Sequence, residues 1–123
     1  MSLKHLFLVS ILALGLAGPA QAQVQIPDNL PESCLTMALS MINIAQDRDE
    51  TGATPEEQAK YYLNFLHGAG VEKLSPFHKR VLVQIKEIGK LSPLTPKTLQ
   101  PLVDKEMGVC KLVNGDYDKL KGI

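Results

Sequence analysis

Tryptophan is absent from the 123 residues, and aromatic side chains make up 5% of them. So small an aromatic set offers little on which to stack nucleic-acid bases, and a formal net charge of zero lacks the basic excess that such binding needs. Two cysteines and three histidines are few for a metal centre, and no His, Cys or carboxylate pair stands at ligand spacing. There is no Gly-x-Ser-x-Gly elbow and no Cys-x-x-Cys motif. Gly68-Ala69-Gly70 follows a helical pattern rather than a strand, and no Lys-Ser/Thr pair comes after it, so it reads as a helix stop and not a phosphate loop. No catalytic residue, cofactor, metal or nucleic acid is therefore expected. An apolar share of 45% against 21% charged residues also excludes a collagen or a charge-rich disordered tail. The length suits one small domain.

The one long apolar run lies at the start. Lys4 and His5 precede Leu6 to Leu16, which only Ser10 and Gly15 interrupt. Gly18-Pro19 then breaks the pattern, and Ala20-Gln21-Ala22 offers small residues for cleavage. Residues 1–22 are predicted to be a cleaved Sec signal peptide, leaving a single helical domain at 23–123 with a net charge of −1 once Lys4 is removed. The alternative, a retained membrane anchor, needs an apolar stretch of about 20 residues, and this one is shorter. Without a cysteine at the cut, a lipid anchor is not expected either. The expected location is the periplasm or the exterior, with no membrane contact after cleavage.

That location bears on Cys34 and Cys110. In an oxidising compartment two lone cysteines pair, so a structural disulfide is expected between the first helix and the end of the last. On the chain-entropy model so long a loop is worth about 4 kcal/mol.

Helix starts are marked by a recurring pair. Thr54-Pro55, Ser75-Pro76 and Thr95-Pro96 each place a capping hydroxyl before a proline suited to the first helical position. Glu57 completes a capping box with Thr54. Four helices are predicted, at 31–47, 55–68, 76–91 and 96–108, after an extended lead-in at 23–30 and before a polar tail at 111–123 with a turn at Asn114-Gly115. The fold class is all-α: a small four-helix orthogonal or up-down bundle closed by one disulfide. In the second helix Ala59, Tyr62, Leu63, Leu66 and Ala69 share a stripe; in the third, Phe77, Val81, Leu82, Ile85, Ile88 and Leu91 do. Pro101 leaves two paths open, one helix from Pro96 or a short turn and a helix from Pro101, with Gly108 ending either. Cys34, Leu35, Met37, Ala38, Leu39, Met41, Ile42, Ile44 and Ala45 nearly encircle the first helix, and Thr36, Ser40, Asn43 and Asp47 form its polar stripe. So narrow a wet stripe places it at the centre of the bundle, or buries a second face against an identical subunit as a homodimer.

Charge is unevenly spread. Acids dominate from Asp28 to Glu57, and bases from Lys73 to Lys97. Asp47, Arg48, Asp49 and Glu50 cluster where the first helix is predicted to end, beside the negative end of its dipole. Three readings stand: the helix ends early and leaves the acids in a solvated loop, they pair with bases of the third helix or the tail, or they meet a cationic partner. Tyr61 and Phe65 stand one turn apart, and since only one of Tyr61 and Tyr62 can face inward, Tyr61 is expected outside beside Phe65. His67 and His78 read as surface residues.

In size, export signal and bridge the chain resembles small exported helical proteins such as periplasmic acid-stress chaperones and the immunity proteins of secreted toxins. No motif of either is matched, and no site is carried over. The expected function is a small exported, non-enzymatic binding protein acting by protein–protein contact as an inhibitor, immunity protein or small chaperone. The candidate contact residues are Asp47, Arg48, Asp49, Glu50, Tyr61 and Phe65. The alternative is a carrier of a small apolar ligand in a bundle cavity lined by Met37, Met41, Tyr61, Tyr62 and Phe65.

Overall fold

Each of the three hydroxyl-proline pairs opens a helix in a computed structural model that describes residues 23–120. The predicted signal peptide lies outside the described residues. The helices are α1 (Glu32–Thr51), α2 (Pro55–Gly68), α3 (Pro76–Gly89) and α4 (Pro96–Leu112), followed by a 3-10 turn at Tyr117–Lys119. Thr54, Ser75 and Thr95 each accept a backbone N–H from the first turn of the helix they precede. The all-α bundle and its bridge are as expected. Cys34, near the start of α1, is joined to Cys110, near the end of α4, with the two Cα atoms 5.7 Å apart.

Several boundaries differ from expectation. The first helix continues past residue 47 to Thr51, because Gly52 (φ 71°) supplies a left-handed cap whose N–H bonds to the Arg48 carbonyl at 2.8 Å. The third stops at Gly89, two residues short of the predicted end. The fourth runs unbroken through both Pro101 and Gly108. Pro101 and Lys97 are both exposed, so the hydrogen bond that the proline removes belongs to the wet side of α4. Beyond Gly108 the buried, bridged Cys110 holds the helix in place.

α1 is the central element and packs mainly on α3 and α4, with α2 resting on α3. Met37, Met41 and Ile42 of α1 meet Val81, Ile85 and Ile88 of α3 and Leu99, Val103 and Met107 of α4 in one buried cluster. The lead-in also belongs to the core. Val24 and Ile26 are buried, and the Gln100 side-chain amide clamps the Gln25 backbone, accepting from its N–H at 2.6 Å and donating to its carbonyl at 3.1 Å. The tail is likewise not wholly polar. Asn114 (φ 51°) and Gly115 (φ 80°) reverse the chain as expected, and the turn that follows buries Tyr117 edge-on against Phe77, with ring centroids 5.4 Å apart. A side chain at position 115 would strike Pro31 and Ser33, so glycine is required there by space as well as by φ.

Candidate functional site

α1 and α2 are joined by only three residues, yet they have little direct contact. The join explains why. Thr51 Oγ1 donates to the Asp47 carbonyl at 2.7 Å and accepts the Ala53 N–H at 3.2 Å. Thr54 and Glu57 then form a reciprocal capping box, with bonds of 2.8 and 3.1 Å. Pro55 sits directly over Gly89, where any β-carbon would collide with the proline ring. The start of α2 is thereby set against the end of α3, and a cleft opens between α2 and α1.

That cleft has an inner part of about 310 Å³, walled by Ser40, Asn43, Asp47, Gln58, Tyr61 and Tyr62 with apolar floor residues from α1 and α3. An outer part of about 430 Å³ shares Asp47, Gln58 and Tyr61 with it. Gln58 is only 7% exposed. Its Nε2 donates to the Ile44 carbonyl at 2.9 Å and to Asp47 Oδ2 at 3.1 Å. Both neighbours are acceptors, so the amide orientation is fixed by chemistry, with the nitrogen toward α1. Oε1 is buried and has no hydrogen-bond partner.

The acidic cluster is thus divided rather than left in a loop. All four residues lie on the last turns of α1. Asp47 lines the cleft and meets Gln58, not a base of the third helix or the tail. Arg48 turns the other way. Its Nη1 donates to the carbonyl of Ile88 at 2.6 Å and to that of Leu91, just past α3, at 3.3 Å, tying the end of α1 to the end of α3. Asp49 and Glu50 are exposed and line neither part of the cleft.

α2 buries only Gln58 and Leu66. Its predicted stripe is rotated: Ala59 and Tyr62 are half-buried, while Leu63 and Ala69 are exposed. Gln58, Tyr62 and Leu66 share one face at spacings of four, a pattern the sequence carries but that a glutamine in a core position obscures. Tyr61 is 77% exposed and Phe65 64% exposed, one turn apart on the outer face. Of the five residues expected to line a ligand cavity, Met37 and Met41 are in the packed core, Tyr61 and Tyr62 line the cleft, and Phe65 is outside, so they do not converge. His67 is exposed as expected, but His78 is not a surface residue. It is half-buried, its Nδ1 3.0 Å from the Tyr62 hydroxyl. Burial raises the Tyr62 pKa above its ordinary value.

On the other side of α2, between it and α3, runs an open apolar groove of about 530 Å³ past Leu63, Leu82 and Val83, with Lys86 and Lys90 at its rim. Deeper, Glu106 is 1% exposed. It accepts from Arg80 through both Nε and Nη2, from Gln84 Nε2 at 2.7 Å and from the Tyr117 hydroxyl at 3.2 Å. The hydrogen bond to Glu106 raises the Arg80 pKa despite partial desolvation. Burial, reinforced by the Glu106 charge, pushes the Tyr117 phenol well above its usual range. This cluster ties α3, α4 and the 3-10 turn together. Its one sequence trace is the i, i+4 spacing of Arg80 and Gln84. Among the described residues no group of three His, Cys, Asp or Glu side chains could hold a metal ion, and none of the helices is long and apolar enough to cross a membrane. Comparison with protein-family models, with curated proteins and with solved structures finds no match.

Proposed function

We propose that this is a small exported binding protein, without enzymatic chemistry, that acts by contact with another protein through the outer face of α2 and the adjoining end of α1. The observation that carries the reading is the exposed pair Tyr61 and Phe65. A helix that gives so little to its own core has no packing need for two rings on its wet side. Aromatic side chains are enriched in protein interfaces because each brings a large, stiff contact area at low entropic cost. The Cys34–Cys110 bridge and the leader-like first 22 residues support export.

The test is affinity capture from the exported fraction of the source cell, using oxidised residues 23–123 as bait beside a Tyr61→Ala/Phe65→Ala variant. Both rings are on the surface, so the variant should melt within about 0.5 kcal/mol of the wild type. The expected result is a protein retained by the wild type and lost by the variant. Identical captures would reject the assigned face.

A further inference from the structure

We infer that the cleft between α1 and α2 is a receptor for a single arginine side chain presented by the protein partner. The inference rests on the protein-contact reading above and names the chemistry of one contact.

Three features of the cleft converge on a cationic donor. First, Gln58 Oε1 is a buried acceptor with no donor, in a side chain more than nine-tenths buried. A buried carbonyl left in that state is costly, so a ligand that brings an N–H gains by supplying it. Secondly, the same amide is bonded to Asp47 through its nitrogen at 3.1 Å. The carboxylate and the open carbonyl therefore belong to one hydrogen-bonded pair, which a planar group with several donors would address as a unit. Thirdly, Tyr61 forms part of the wall and is largely exposed. Its ring face suits a guanidinium, which stacks on aromatics and is weakly hydrated.

Charge points the same way. Asp47 and Glu57 line the cleft, and no Lys, Arg or His does. The nearest base in sequence, Arg48, is committed to the end of α3. An arriving cation would meet acceptors without an internal competitor. A guanidinium fits better than an ammonium, because its fixed fork can serve Oε1 and Asp47 together.

The test is an NMR titration of uniformly ¹⁵N-labelled, oxidised 23–123 with N-acetyl-arginine methylamide, and separately with the neutral citrulline analogue. The Gln58 side-chain NH₂ and the backbone amides of Asp47 and Tyr61 are the reporters. Saturable shifts confined to them are expected with arginine and not with citrulline. Asp47→Asn keeps an acceptor for Gln58 and should weaken the interaction about tenfold. Gln58→Leu should weaken it at least as much, and retention of its dispersed spectrum shows that the fold survives. Equal shifts from citrulline, shifts spread over the surface, or no effect of Asp47→Asn would overturn the assignment. Should arginine fail while capture still depends on Tyr61 and Phe65, the protein-contact reading stands and the cleft assignment alone is lost. Binding of arginine with no captured protein would sink the broader reading instead.

Discussion

Opening the disulfide is the perturbation with the largest effect that can be worked from the structure. Cys34 and Cys110 are 76 residues apart and fully buried. On the chain-entropy model a loop of that length removes unfolded-state freedom worth about 4.5 kcal/mol at 25 °C. Domains of this size hold roughly 5–10 kcal/mol in total. Reduced protein should therefore be near its folding threshold. Cys34→Ala/Cys110→Ala should be somewhat worse, by about 1–2 kcal/mol, because two buried sulfur atoms are also lost. The assay is urea unfolding of oxidised, reduced and doubly substituted 23–123, followed by far-UV circular dichroism. If the bridge acts on the unfolded chain, the slope of stability against urea should rise as the midpoint falls, since the open chain exposes more surface. A loss under about 1.5 kcal/mol at constant slope would refute the reasoning and leave the helix packing alone as the source of stability.

Four further outcomes test other parts of the fold. Glu106→Gln leaves the Arg80 side chain, 16% exposed, without its counter-charge; the expected loss is about 3 kcal/mol by thermal melting, and a loss under about 1 kcal/mol would contradict the buried pairing. Tyr117 keeps its proton to higher pH folded than unfolded, so above pH ~10 the folded state binds more protons and stability falls as pH rises; Tyr117→Phe should lessen the fall between pH 8 and 11 by about 1 kcal/mol in paired urea melts. Arg48→Met removes a charged donor to the Ile88 carbonyl of α3 and the Leu91 carbonyl just beyond it and should cost about 2 kcal/mol, whereas Asp49→Asn, at an exposed helix end, should change stability by less than about 0.5 kcal/mol. Pro101→Ala returns an N–H to the Lys97 carbonyl inside α4 and should raise stability by about 1 kcal/mol, with no gain meaning that solvent already compensates there.

Thr54, Ser75 and Thr95 show why the helix starts were legible in the sequence. A cap is a contact within four residues, and the hydroxyl, the proline ring and the first free N–H groups meet whatever the rest of the chain does. The disulfide was legible for a different reason: two cysteines allow only one intramolecular pairing. The helix ends were harder. Arg48 stabilises the last turn of α1 and the end of α3 together, a contact spanning 40 residues, so the acidic stretch beside it looked like a helix terminus when read alone. Gly108 looked like a stop because glycine is a poor helix former when read locally, whereas the buried Met107 and Cys110 on either side of it pack the helix onto the core.

The candidate site divides along the same line. Tyr61 and Phe65 were readable because helical spacing alone puts adjacent tyrosines on different faces. Gln58 was not, since what makes it notable is the combination of Ile44 and Asp47 on one side and an unmet carbonyl on the other. Nor was the Glu106 cluster, whose members come from three elements. By itself the sequence determined what depends on neighbours within one or two turns: the element types, three of the starts, the chain reversal at Asn114-Gly115 and the bridge. Tertiary structure decided which polar side chains are buried and which acceptors lack donors. Burial and hydrogen-bond satisfaction are set by the elements that close over a residue, and those come from distant parts of the chain.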